Sequence, residues 1–484
     1  MGRLLSVANI LGRLLVVFSL TYLLPIISAL YYGDRTLVTF VISMVACTVV
    51  GLLLTLGTRH ARRELKARDG FILVSLAWTF IAAIATVPLM LHSGLSFTDA
   101  FFETMSGLTT TGATVMIGLD TLAPSINLWR HTLCWLGGMG IIVLAVAILP
   151  MLGVGGMQLL RAEVPGPIKD NKLTARIADT AAILWSVYLG ITVLCIVALR
   201  LVGMSWFDAI CHGFSTLSLA GFSTRDASIG AYDSPAIEAV IVFFMAIAAL
   251  NFATHYTAWR DASLRAYWRD AEARGVIALL FLSCVGCAAY LWGAGIYPSY
   301  PMALRYVSFN LVSIATDCGL VSVDYAQWPL FVPFWMLFLS SITASSGSTG
   351  GGIKMIRTMV LVRQSSRELR RLIHPPMAAP VTVGGMQIPN SVVFAILGFI
   401  FLYFMSIVGL TFLLIFGGLD FISAFTAVIA CINNAGPGLG QVGPSTNYQS
   451  LTDYEIWVLS FTMLLGRLEV FSLLVLFTPQ FWRK

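Results

Sequence analysis

Ten apolar runs, each about as long as one bilayer crossing, recur from end to end of this chain and dictate what it can fold into. They lie at about Leu11 to Leu30, Leu37 to Gly57, Phe71 to Leu91, Leu128 to Leu149, Ile177 to Val202, Ala236 to Trp259, Gly275 to Trp292, Leu330 to Ser346, Val392 to Phe416, and Ile456 to Phe477. In hydrocarbon every backbone N–H and C=O must be satisfied within the segment, so each run is predicted to be a helix. No stretch of soluble-domain size separates them. With 58% of residues apolar and 11% charged, water cannot be the solvent for most of this chain. The first run is interrupted by Pro25 and leads into a second span without a small-residue cleavage site, so it reads as a retained helix rather than a signal peptide.

Basic residues give the orientation, because Lys and Arg collect on the cytoplasmic side of a membrane protein. Arg59, Arg62, Arg63, Lys66 and Arg68 fill one loop, and Arg161, Lys169, Lys172 and Arg176 a second. Arg260, Arg265, Arg269 and Arg274 fill a third, and Lys354, Arg357, Arg363, Arg367, Arg370 and Arg371 a fourth. With Arg3, Arg13, Arg483 and Lys484 they place 23 of the 29 basic residues on one side, and ten crossings put both termini there as well. Asp34, Asp120, Asp226, Asp233, Asp324, Asp420 and Asp453 mark the other side. The net charge of +6 is therefore a topology signal, and nucleic-acid binding is not expected.

Chemistry-bearing constellations are missing from the sequence. The six histidines show no metal-ligand spacing, and no nucleophile, base and orienting acid can be assembled, so an enzyme is not expected. Cys284 and Cys287 form a CxxC, but its apolar setting reads as helix packing rather than redox or zinc chemistry.

Four shorter apolar segments on the outer side break the pattern of crossings, since about 12 residues suit a re-entrant helix better than a span. They are Phe97 to Thr114, Ser205 to Thr224, Ala303 to Ser322 and Leu419 to Gly438. Aligned on Gly112, Gly221, Gly319 and Gly436, they carry Asp99, Asp208, Tyr306 and Ser423 thirteen residues upstream and Leu108, Leu217, Ala315 and Ile432 four upstream. The glycines are 109, 98 and 117 residues apart, and each interval holds one segment and two spans.

The expected fold is an all-α polytopic membrane protein of four tandem helix, pore-loop, helix repeats around a pseudo-fourfold pore, with two extra N-terminal transmembrane helices. The boundaries are residues 1–69 for the appendage, 70–175, 176–269 and 270–385 for the first three repeats, and 386–484 for the fourth. Irregular backbone at membrane depth is tolerated only where protein or a water-filled cavity satisfies it. Glycine permits positive φ and close approach, so carbonyls can turn inward and replace an ion's hydration shell, while the short helices aim their negative ends at the same point. Each glycine taken alone is also an ordinary helix C-cap. Four in matching places point to a cation pathway. The residues assigned to it are Thr110, Thr111 and Gly112; Leu219, Ala220 and Gly221; Asp317, Cys318 and Gly319; and Asn434, Ala435 and Gly436.

Nearly the whole chain resembles the Trk/Ktr/HKT superfamily of K+ transporters, in its bacterial TrkH/TrkG family. The resemblance is carried by TTTGAT at Thr109, INNAGPGLG at Ile432, GSTGGGIK at Gly347 and the extra N-terminal pair of spans. Glycine in all four filter positions, with no serine in the first, is the pattern that family associates with K+ rather than strict Na+ selectivity. The resemblance implies K+ as the transported ion, no organic cofactor, a bacterial inner-membrane location, a homodimer, and a cytosolic TrkA-like ring that binds nucleotides and regulates opening. A secondary transporter coupling K+ to H+ or Na+ is the alternative, although such folds usually use inverted repeats.

Two further features sharpen under this resemblance. The run Ser345 to Lys354 holds four glycines and cannot easily stay helical. It lacks the GKS/T ending and preceding strand of a phosphate loop. The matching stretch in the family is an intramembrane gate beneath the filter, which assigns Gly347, Ser348, Thr349, Gly350, Gly351, Gly352 and Lys354 to a gate. Arg467, in mid-span, must face a cavity or a partner. It can pair with Glu469 or a carbonyl, whereas the resemblance implies a pore-facing charge that joins the gate by repelling cations. Glu103, inside the first short helix, reads as a buried hydrogen-bonding anchor rather than an ion ligand.

Overall fold

A computed structural model describes residues 2–60, 67–143, 173–376 and 380–483. Arg62, Arg63, Lys66, Arg161, Lys169, Lys172 and Lys484, and the end of the run predicted to reach Leu149, lie outside the described residues. Among the described residues the regular structure is helical apart from one antiparallel hairpin, Val381–Val383 against Met386–Ile388.

The appendage consists of Gly2–Ser19, continued after one tight turn as Leu23–Tyr32, and Leu37–Gly57. Its two arms meet backbone to backbone, because a Cβ on Gly12 would lie 2.7 Å from the Gly51 carbonyl and one on Gly51 2.8 Å from the Gly12 carbonyl. Small residues give such contacts in lipid, where packing rather than water exclusion holds helices together. The pair docks on the first repeat through Tyr22, whose ring stacks on Trp129 at 4.3 Å.

Each repeat has the order long helix, short helix, loop, second helix. The long helices are Ala67–Ala85 with Val87–Ser93, then Leu173–Leu201, Ala271–Gly293 and Asn390–Phe416. The short helices are Phe97–Leu108, Trp206–Ser218, Tyr300–Ala315 and Phe421–Asn433. Twelve residues span about 18 Å, well short of a roughly 30 Å hydrocarbon core. Three of them start with a side-chain cap on the third helical N–H: Ser96 on Asp99, Ser205 on Asp208, and Asp420 on Ser423. These capped positions are the ones that recur thirteen residues before each glycine. The third short helix begins one turn earlier, behind Pro301, and leaves Tyr306 in its interior.

In the second and fourth repeats, where the sequence predicts continuous second helices, the structure bends them, and in the third the glycine-rich run interrupts the helix as expected. Six helices among the described residues are long and apolar enough to cross a membrane, and eight if each bent pair counts once. Pro235–Ala248 turns by 97° into Phe252–Arg260, and Asp453–Arg467 turns by 109° into Phe471–Phe477. In the third repeat the helix Phe331–Ser340 stops, and Met355–Ile373 begins only after an irregular stretch. Each break has a local cause. Asn251 caps the helix that follows it. Glu469 and Val470 adopt positive φ. Gly347, Gly352 and Lys354 do the same in the third repeat.

Gly51→Leu forces a side chain into the contact of the appendage arms, where overpacking costs about 1–3 kcal/mol. The expected result is a lower melting temperature of the purified protein in detergent, with Gly57→Leu, whose added Cβ meets nothing within 4 Å, as the unaffected control.

Candidate functional site: a closed ring of four glycine turns

The short helices all end the same way. The N–H groups of Thr111, Ala220, Cys318 and Ala435 return to the carbonyls of Ser106, Ser215, Ser313 and Ala430, at 2.8, 3.0, 2.8 and 2.8 Å. One residue earlier, Thr110, Leu219, Asp317 and Asn434 have φ of 55°, 54°, 69° and 60°. One residue later, the glycines have φ of 80°, 74°, 83° and 82°. Left-handed backbone at non-glycine residues is uncommon, and four instances in one register mark a built conformation. Alternating handedness along a strand turns successive carbonyls to one side.

The four turns touch in a circuit. A Cβ on Gly112 would lie 2.0 Å from the Ala220 carbonyl oxygen, one on Gly221 2.5 Å from that of Cys318, one on Gly319 2.4 Å from that of Ala435, and one on Gly436 2.7 Å from that of Thr111. Repeat one thus abuts repeat two, two abuts three, three abuts four, and four returns to one. No protein donor reaches the carbonyls of Thr111, Ala220, Cys318 or Ala435 among the described residues. Asn434 Nδ2 donates to Thr111 Oγ1 at 2.9 Å and ties the closing pair of turns together.

Behind the ring, side chains of the short helices hold the strands that leave each glycine. In the first repeat Glu103 accepts from the Thr114 hydroxyl at 3.0 Å and the Val115 N–H at 3.1 Å. Its other partner is Arg130 at 2.8 Å, and both side chains are wholly buried. Arg130 also donates to the Ser223 carbonyl at 3.3 Å and lies over the Phe222 ring at 4.3 Å, so one cation braces the first and second turns. His212 with Ser223, Asn310 with Ser322, and Thr426 with the Leu439 N–H play the corresponding part in the other repeats. The sequence carried a signal for Arg130, a lone charge in a predicted span, but no motif marked it.

Under the ring two second helices and the irregular stretch of the third repeat press glycines against the short-helix ends. A Cβ on Gly137 would lie 2.0 Å from the Leu108 carbonyl, one on Gly466 2.0 Å from that of Ile432, and one on Gly351 2.0 Å from that of Asn433. The stretch 341–354 is knotted into this layer. Asp317, in the third turn, accepts from the Gly351 N–H at 2.9 Å. Thr349 donates to the Leu217 carbonyl at 3.2 Å, and Lys354 Nζ returns to the Gly350 carbonyl at 2.6 Å. Ser348 donates to the Ser345 carbonyl, and Gly352 faces the carbonyls of Ser340 and Ser341. The Gly347 carbonyl accepts from the Phe252 N–H at 3.2 Å.

Arg467 is 2% exposed and donates to two carbonyls, Thr349 at 3.0 Å and Gly137 at 2.9 Å. Of the partners weighed from sequence, it takes carbonyls, while Glu469 is bonded by Arg357 at 2.5 Å. The guanidinium thereby links the irregular stretch of repeat three to the second helices of repeats one and four.

The TrkH family profile, described as a cation transport protein, matches residues 37–484. The chain belongs to the TrkH family. It is 45% identical over 481 residues to the Trk system potassium uptake protein TrkH of Escherichia coli K12, covering 99% of both chains. It is 38% identical to the Trk system potassium uptake protein TrkG of the same organism, covering 99% of this chain and 98% of that one. The crystal structure of the potassium transporter TrkH from Vibrio parahaemolyticus superposes with a TM-score of 0.91 at 44% identity, covering 99% of this chain and all of the other. The protein is accordingly a membrane transport protein, not an enzyme.

Arg130→Met leaves Glu103 buried without its cation, a loss of about 3–5 kcal/mol. The melting temperature is expected to fall by several degrees, and Arg130→Met paired with Glu103→Leu is expected to recover much of it.

Proposed function

We propose that the protein carries K+ into the cell across a bacterial inner membrane, through a gated, channel-like pathway whose selective element is the ring of four glycine turns. The circuit of contacts between each glycine and the preceding carbonyl of the next repeat is the observation that carries this reading. Carbonyls lacking a protein donor at membrane depth need a partner, and a dehydrated monovalent cation on the axis supplies one. The short helices add their negative C-terminal ends. An inside-negative potential favours inward flow by about 2.3 kcal/mol per charge per 100 mV.

The stretch Gly347 to Lys354 with Arg467 acts as the gate. It lies directly under the ring, and two cations there oppose passage until it moves. Both termini face the cytoplasm in this reading, which the distribution of basic residues supports. The potassium uptake relatives, at 45% and 38% identity, support K+ as the ion. A homodimer and a nucleotide-binding cytosolic ring as regulator complete the proposal. Coupled K+/H+ or K+/Na+ transport is the competing reading, and single-channel steps in a planar bilayer separate the two, since turnover-limited carriers give none.

Reconstitution into K+-loaded vesicles tests the pathway and its gate. Uptake of 86Rb+ is expected to rise on deletion of Gly350 to Gly352 and on Arg467→Ala, with ion preference unchanged. A fall in both variants would refute the gate. Gly112→Ser, which puts a Cβ against the Ala220 carbonyl, is expected to raise Na+ uptake relative to Rb+. An unaltered ratio would count against the ring as the selective element.

A further inference from the structure

The segment after the bend in the second repeat is used by nothing described so far. Phe252–Arg260 leaves the preceding helix at 97°, so the two do not form one straight crossing. A short helix, Arg265–Arg269, follows and leads into Ala271–Gly293. Three large apolar side chains stand out from it: Trp259 at 75%, Leu264 at 74% and Trp268 at 75% exposure. Leu264 and Trp268 are four residues apart, as are Arg265 and Arg269, so an apolar stripe and a cationic stripe lie side by side. Arg260 is occupied by Asp261 at 2.8 Å. Arg265, Arg269 and Arg274 are exposed and have no ion-pair partner among the described residues.

The segment is not a loose loop. The Thr254 hydroxyl donates to Asp270 at 2.8 Å, and His255 shares a hydrogen bond of 2.8 Å with the Tyr267 hydroxyl. The His255 ring's other nitrogen reaches the Ile247 carbonyl at 2.9 Å. Its rings and guanidinium groups are thus held on a fixed base.

We propose that residues 252–274 are a docking surface for the anionic phospholipids of the leaflet on the side where basic residues collect. Indoles favour the headgroup level, and arginines beside them attract anionic headgroups. The charge and the apolar stripe together fit a lipid surface, because a phosphate plane lies next to hydrocarbon there and nowhere else. The same backbone carries the edge of the irregular stretch, through Phe252 to Gly347 and through the Ser345 N–H to the Ala249 carbonyl at 2.9 Å. Headgroups seated here grip the frame on which that stretch hangs.

The test uses the full chain in vesicles and compares its tryptophan fluorescence with that of Trp259→Phe/Trp268→Phe, the difference reporting those two indoles. Vesicles of phosphatidylcholine contain one-fifth of a dibrominated lipid, either phosphatidylglycerol or phosphatidylcholine. Quenching of the difference signal is expected to be at least twofold stronger with the brominated anionic lipid, and Arg265→Gln/Arg269→Gln/Arg274→Gln is expected to remove that excess without lowering the melting temperature. Equal quenching by the two lipids overturns the anionic preference. Absence of quenching by either overturns the membrane as occupant and leaves the face to a soluble protein.

Discussion

The structure depends on how closely backbone can approach backbone when no Cβ intervenes. Each of the four turns fits the next only because Gly112, Gly221, Gly319 and Gly436 carry no side chain and tolerate φ near 80°. The same device recurs below, where Gly137, Gly351 and Gly466 lie against short-helix carbonyls, and in the appendage, where Gly12 meets Gly51. In a lipid-solvated protein there is little hydrophobic drive between helices, so close packing of this kind carries the cohesion. The centre of the molecule is therefore assembled mainly from main chain, with Glu103, Arg130, His212 and Asn310 bracing it from behind.

Three second helices break beside the ring. In the first repeat Pro124–Val143 runs unbroken past the Leu108 carbonyl, where Gly137 carries no side chain, while the others interrupt themselves at Asn251, in the stretch from Ser341 to Lys354, and at Glu469 and Val470. Interruption frees polar backbone, and this is absorbed locally. Arg467 takes two carbonyls, Lys354 a third, and Asp317 one N–H. The gating stretch of the proposed mechanism is tied by hydrogen bonds to residues of several repeats, to Leu217 and Phe252 of the second, Asp317 of the third and Arg467 of the fourth.

Much of this was legible in the sequence, because lipid leaves few options for a long apolar run and because four copies of one segment reinforce each other. Thr110, Leu219, Asp317 and Asn434 share no side-chain chemistry, yet their register to the glycine places all four in left-handed conformation. The bends were not legible. An apolar run reads the same whether it continues or turns through 97° after Ala248, and Asn251, which caps the helix after the bend, is the local hint. Arg130 was missed for a different reason: its partner Glu103 is 27 residues away on another helix, so nothing local marks the pair. Tyr306 aligned with the capped third residues of the other short helices but lies inside its own, which begins a turn earlier.

The ring is drawn from one polypeptide, so its quarters are encoded separately. A channel assembled from four copies of one subunit must repeat every substitution fourfold, whereas here threonine, leucine, aspartate and asparagine stand at equivalent stations of the same circle. Any one arm can drift, acquire a latch such as Asp317, or be tuned by a single codon while the other three keep the geometry. A ring encoded this way is free to evolve an uneven interior, one arm set apart while all four keep the circle closed.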